Sequence, residues 1–502
     1  MTKAKTGIMA CILMAVLLLS TLTACVPAIS AIPVLTAGEA EASPAPVVDV
    51  PYKDDGSRYV YRYAAGTRDR AWEEDIVFLT NRFLDPWGTG HPKLVKQGCS
   101  LHYLKDLRAG YEDYENKYES LYEPALREEF VRHINELLLS IGEKSDDELL
   151  FGCAQAAAVL HDGHTGLIAS ILDTAREAFP LGLCPLYADG VPGAYIYAVP
   201  KGREDLLLCR LDAINGVPLS EILDDVCTLF SHEHIAWAQY IAFHYTSPRC
   251  CPSLLNVAIL RYFGIMGEEK TAILSLTDET GAIRQVEMAY FTQKSMPKLI
   301  AYWPAAVPNE SVDIRLTDSY WEEDVWYELI DEGQALYIRL RQCASEADKT
   351  VLKAVTAAKQ AGGVKKVILD FRGNSGGSIL TAVDIIRQIN ALDAPDGKYV
   401  LIDGGAYSAA VLIPVGLKRF CPDVVLVGEP AGMPPNGAFG SCTFTTPNMH
   451  LSVTMAIRDC YYCWPENDDP TLMPDVLVHQ TLEDYWNGID TVLAYVLSDS
   501  AQ

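Results

Sequence analysis

From Ala335 to Val427 short apolar runs alternate with amphipathic stretches, and this alternation constrains the fold more than any other feature of the chain. Ala335–Leu340, Val367–Phe371, Tyr399–Ile402 and Val424–Val427 have the composition of buried strands. Between them Ala344–Ala361, Ile379–Asn390 and Ser408–Arg419 read as helices, the first closing at Gly362-Gly363. Strands separated by helices predict a mainly parallel sheet with helices on its faces. Such sheets place ligands beyond the carboxyl ends of their strands.

Upstream the pattern changes twice. Between Asp69 and Ile168 it is helical: Trp72, Ile76, Leu79 and Phe83 recur at one face, as do Leu126, Phe130, Ile134, Leu137 and Ile141. Ser145-Asp146-Asp147-Glu148 is a capping box that opens a third helix. From Phe179 to Tyr320 the reading is mixed α+β, with strands over Ala194–Val199 and Leu206–Ile214, a turn at Asn215-Gly216, and a helix from Pro218 to Val226. The expected division is residues 1–24, 25–66, 67–172, 173–325 and 326–502.

The first 24 residues read as an export signal. Lys3 and Lys5 precede an apolar run from Ile8 to Leu19, which is short for the ~30 Å of a bilayer core. Leu22-Thr23-Ala24-Cys25 resembles the bacterial lipobox, in which the cysteine becomes the lipidated first residue. Pro27, Pro33, Pro44 and Pro46 then mark an extended tether. The expected location is therefore extracytoplasmic, with membrane attachment through lipid on Cys25. The formal net charge of −26 is repelled by phosphate backbones, so nucleic acid is not expected as a partner. Fourteen cysteines are spread too widely for a small disulfide scaffold. The close pairs Cys250-Cys251 and Cys460/Cys463 lack partners at ligand spacing, so neither metal nor cofactor is expected.

Three segments carry chemistry. Asp370-Phe371-Arg372-Gly373-Asn374-Ser375-Gly376-Gly377 leaves a strand end, and its paired glycines let backbone N–H groups approach a bound atom. Ser408 follows the Gly404-Gly405 turn and opens a helix, where the Ala409 N–H would face developing negative charge. Asp162-Gly163-His164-Thr165 sets a histidine in a turn, where it is a candidate general base. Taken singly, each has a plain structural explanation: a tight turn, an N-cap serine, a packed histidine.

Together, and in their order along the chain, these segments resemble the C-terminal processing and tricorn-type serine peptidases, including relatives of interphotoreceptor retinoid-binding protein. Asp370 to Gly377 is similar to the family's D-x-R-G-N-x-G-G stretch, and Tyr407-Ser408-Ala409-Ala410 to its nucleophile segment. Gly428-Glu429-Pro430-Ala431-Gly432 with Pro435-Asn436 resembles GEPTGG-x-PN, Pro474-Asp475-Val476 the closing P-D-[IV] strand, and Asp162 to Thr165 the D-G-H-T of the histidine-using branch. The resemblance implies an α/β catalytic domain over 326–502 of ClpP/crotonase type, a degenerate PDZ-like α+β region over 173–325, and a helical domain over 67–172. It implies Ser408 as nucleophile, His164 as base, and Gly376 and Ala409 as oxyanion donors. Glu466 is similar in placement to the family's distal carboxylate and is the candidate for orienting His164. Two departures stand out. Gly432-Met433-Pro434-Pro435 occupies the place where other members supply a catalytic lysine, and Gly163 replaces the serine that precedes the histidine in the tricorn branch. The implied activity is hydrolysis of a polypeptide, with capture of its extended chain or C-terminus. The competing readings are a catalytically silent peptide- or ligand-binding lipoprotein on the same fold, and an esterase.

Overall fold

The computed structural model describes residues 68–84, 122–244, 252–292, 294–301, 323–421, 423–460 and 469–498. Cys25, the tether and Glu466 lie outside the described residues. The chain divides into two compact units, one comprising residues 1–171 with 437–460, the other residues 172–436 with 461–502.

The first unit carries the helices Arg68–Leu84, Pro124–Leu139 and Asp146–Ala158. The expected stripes are their buried faces: Trp72, Ile76, Leu79, Phe83, Phe130, Ile134 and Leu137 are all in the core. The third helix opens on a capping box in which Ser145 and Glu148 satisfy each other's backbone N–H. A long antiparallel hairpin, Gly437–Thr445 with Ser452–Cys460, joins these helices, although chain order would assign it to the region 326–502. Its attachment is specific. The buried Asp75 carboxylate accepts the N–H groups of Asn448 and Met449 at 3.0 and 2.6 Å, and Phe444 meets Phe78 and Phe83 edge-on.

The second unit holds two main sheets. One is antiparallel and built around Gly182–Ala188, Val191–Pro200, Arg210–Ile214, Thr271–Thr277 and Ile283–Ala289. Asn215 and Gly216 both take positive φ, as a tight hairpin turn requires, and the helix Leu219–Cys227 follows. The other has six strands in chain order: Val325–Ile330, Ala335–Leu340, Lys366–Asp370, Lys398–Ile402, Val424–Gly428 and Val476–Leu477. Only the first pairing is antiparallel. The strand order never reverses, so right-handed crossovers bring all intervening helices to one face. Ala347–Gln360, Ala382–Asn390 and Ala409–Phe420 accordingly pack side by side. The opposite face presents Tyr337, Ile368, Tyr399, Leu401 and Val427 to Val492, Leu493 and Val496 of the C-terminal helix Thr491–Leu497. A sheet covered on both faces needs strands that are apolar throughout, and every residue of Lys366–Asp370 and Lys398–Ile402 is buried. This places two lysines inside, Lys366 and Lys398. Lys366 directs its Nζ to the carbonyls of Val496, Leu497 and Ser498 at 2.8 to 3.2 Å, and so caps the C-terminal helix, while Lys398 Nζ donates to Asn390 O at 3.4 Å.

Candidate active site

The carboxyl ends of the parallel strands hold the two loops singled out from sequence. The strand Lys398–Ile402 runs into Asp403-Gly404-Gly405-Ala406-Tyr407, and Ser408 stands at the N-cap of the next helix. An ordinary N-cap serine has extended backbone and bonds its hydroxyl to the N–H of N2 or N3. Ser408 does neither: its φ is 55° and ψ −123°, and its side chain makes no capping bond. Such a conformation costs a non-glycine residue about 1–3 kcal/mol and persists only where the surroundings over-determine it.

Those surroundings are explicit. The Tyr407 N–H donates to Asn374 O at 3.0 Å, and the Gly432 N–H to Ala406 O at 2.9 Å. The Ser408 N–H lies 2.9 Å from Met433 Sδ, so the methionine at the position where the resemblance would place a lysine touches the backbone of Ser408 itself. Asp403 ties the two loops together by accepting the N–H groups of Gly373 and Gly405 at 2.7 and 2.9 Å. Lys418, on the Ser408 helix, is paired with Asp475 at 2.7 Å.

The glycine loop is fixed by Asn374, which is fully buried. Its Nδ2 donates to Leu340 O at 2.9 Å and its Oδ1 accepts the Gly376 N–H at 2.9 Å. The expectation that the Gly376 N–H faces a bound oxyanion therefore meets a competitor inside the loop. What Gly376 does provide is room: a Cβ there would lie 2.7 Å from Ser408 Cβ and 2.9 Å from Tyr407 O. Among the described residues the N–H groups of Gly377 and Ala409 take no acceptor. Ala409 is the first residue of its helix, where the N–H has no intrahelical partner. The structure thus gathers Ser408, Ala409 and Gly376 at one place in the second unit. Cys343 lies beside Asn374, and burial pushes its thiol up to about 12.

The base of the glycine loop is a buried ionic cluster. Asp370 accepts from Tyr337 Oη at 2.7 Å and pairs with Arg339 and Arg372, and Arg372 also pairs with Asp490 at 2.7 Å. Burial alone would raise the Asp370 carboxyl, but Arg372 and Arg339 outweigh it and hold the group well below the usual carboxylate range.

His164 belongs to the first unit and is buried in its turn. Asp162 accepts the His164 N–H at 2.9 Å, and its carboxylate lies 3.9 Å from the ring Nδ1. Tyr122 and Thr165 hydroxyls donate to the other carboxylate oxygen at 3.1 and 2.7 Å. The turn rests on the hairpin: Gly166 and Thr454 exchange backbone bonds, and the Ala456 N–H reaches Thr165 Oγ1 at 2.9 Å.

Sequence reasoning missed the wall behind Ser408. The helix Ile235–Phe243 presents Trp237 and Tyr240, with Trp237 stacked on Tyr407 at 4.3 Å and 20°. Tyr240 Oη donates to Gly373 O at 3.3 Å, and Glu233 accepts the Tyr407 hydroxyl. The signal was an aromatic pair at i, i+3, which fits any packed helix.

Residues 334–396 match Peptidase family S41, a stretch that includes the glycine loop and stops before Ser408. No curated protein matches the chain. Among solved structures, mature CPAF is 12% identical with a TM-score of 0.44, covering 73% of this chain and 89% of its own. The photosystem II D1 C-terminal processing protease is 14% identical at 0.34, covering 87% and 99%. The tricorn protease is 9% identical at 0.36, covering 85% and 36%.

Proposed function

We propose that this chain, whose residues 334–396 match Peptidase family S41, is a serine-type peptidase that hydrolyses peptide bonds through an acyl-enzyme on Ser408. The observation that carries the site is the backbone of Ser408, held at φ 55° at a helix start with its hydroxyl unused for capping. In this reading Ser408 Oγ attacks the peptide carbonyl while His164 takes its proton. The Ala409 N–H, with the glycine loop at Gly376-Gly377, stabilises the oxyanion. His164 then protonates the leaving amine, and water hydrolyses the ester by the same route reversed. Asp162, fixed beside His164 Nδ1, supports the protonated ring electrostatically, a role for which Glu466 was the sequence candidate.

The finer architecture belongs to the same proposal. A six-stranded sheet in chain order with its helices on one face supports a ClpP/crotonase-like catalytic core. The antiparallel sheet with the helix Leu219–Cys227 supports a degenerate PDZ-like element that captures an extended chain or its C-terminus. Lipidation of Cys25 would hold the enzyme on the outer side of the membrane.

Peptide hydrolysis by single variants tests the assignment. Ser408→Ala and His164→Ala are expected to lose several orders of magnitude in kcat/KM. Lys418→Ala should stay within about twofold, since its partly exposed pair with Asp475 contributes little. Full turnover by His164→Ala would move the base elsewhere. Turnover of esters without peptides would make the chain an esterase, and a folded wild type that turns over neither would make it a binding protein.

A further inference from the structure

We infer that Glu233, through the Tyr407 hydroxyl, is a positioning residue that holds Ser408 in its reactive backbone conformation; the inference rests on Ser408 being the nucleophile. Tyr407 immediately precedes Ser408, so any rotation about its backbone is passed directly to the strained residue. Its ring is fixed on one side by the stack on Trp237, with centroids 4.3 Å apart. Its hydroxyl donates to both carboxylate oxygens of Glu233, at 3.0 and 2.9 Å. A carboxyl group offers the hydroxyl two acceptor oxygens, and both lie within hydrogen-bond distance. Stack and hydrogen bond together leave the side chain one orientation.

The same contacts explain why the device lies where it does. Glu233 and Trp237 flank the start of the helix Ile235–Phe243. That helix also meets the loops on either side of Tyr407: a Cβ on Gly404 would lie 2.7 Å from Ala236 O, and one on Gly432 3.2 Å from Trp237 Cβ. The helix start is therefore a fixed wall, and Glu233 links the residue before the nucleophile to it. Neither Glu233 nor Tyr407 is required to touch substrate. Losing their bond lowers the fraction of molecules in which Ser408 is poised, so it reduces the acylation rate and leaves recognition intact.

A fluorophosphonate probe, with labelling followed over a range of concentrations, separates kinact from KI. Tyr407→Phe keeps the stack and removes the hydroxyl; it is expected to lower kinact about tenfold or more, with KI within about twofold and the melting temperature within a few degrees. Glu233→Ala should behave alike, while Glu233→Gln, whose amide oxygen still accepts the hydroxyl, recovers much of the rate. The double variant Tyr407→Phe/Glu233→Ala should be no slower than either single one, because both remove one interaction. Wild-type kinact in Tyr407→Phe, or losses that multiply in the double variant, would overturn the inference. A wild type that is not labelled at Ser408 would instead sink the nucleophile assignment on which it rests.

Discussion

Ser408 shows what a single residue number hides. The motif places a serine after two glycines and before a helix, which is also the description of an N-cap. Only its backbone separates the two, and that backbone is set by groups distant in the chain: Asn374 O on one side, Met433 Sδ on the other. Sequence could nominate Ser408 and Gly376 because glycine pairs and small residues mark close backbone approach. It could not show that Asn374 takes the Gly376 N–H, or that Gly376 is needed chiefly for space, since both depend on tertiary distance. Gly376→Ala makes this testable. The new methyl would sit 2.7 Å from Ser408 Cβ, on a residue whose φ is 107°. Labelling by a fluorophosphonate is expected to slow at least a hundredfold, with a destabilisation of about 1–3 kcal/mol in urea unfolding. Wild-type labelling would show that the loop does not crowd Ser408.

The elements between Ala335 and Val427 were legible because their hydrophobic period changes sharply at each boundary. The observed strands and helices fall within a few residues of the expected ones. The antiparallel edge strand Val325–Ile330 was not anticipated; its burial is interrupted, so it carries a weaker signal. Nor does periodicity reveal what joins the strand ends, which is charge. Arg372 bridges Asp370 and Asp490, both buried, and removing one partner of such a cluster leaves uncompensated charge. Arg372→Met is expected to cost about 3–5 kcal/mol in urea unfolding at neutral pH. The pH dependence has a definite sign. The folded pKa of Asp370 lies below its unfolded value of about 3.9. Its stabilisation is therefore complete above that pH and is lost as pH falls through the folded value. The wild type should lose stability below about pH 4, and the slope should flatten in Arg372→Met. Equal acid sensitivity in both would place the titrating group elsewhere.

At the scale of the whole molecule the hairpin 437–460 shows what local pattern does not carry. It follows four of the parallel strands in the chain but packs with the helices, through Asp75, Phe78 and Phe83, more than 350 residues earlier. Local pattern carries no information about such a partner. The same hairpin supports the turn that bears His164, with Ala456 and Thr165 in contact across 291 positions of the chain. Export is the other whole-molecule expectation. Mass spectrometry of the mature protein should find a diacyl- or triacyl-glyceryl Cys25 at the N-terminus, and a chain starting elsewhere without lipid would refute the anchor. The central claim, that this fold exists to present Ser408, is tested most directly by fluorophosphonate labelling followed by peptide mapping. The account predicts a single adduct on Ser408, absent from a folded Ser408→Ala variant. An adduct on Ser375, Ser378 or Ser441, or no adduct on the folded wild type, would contradict it.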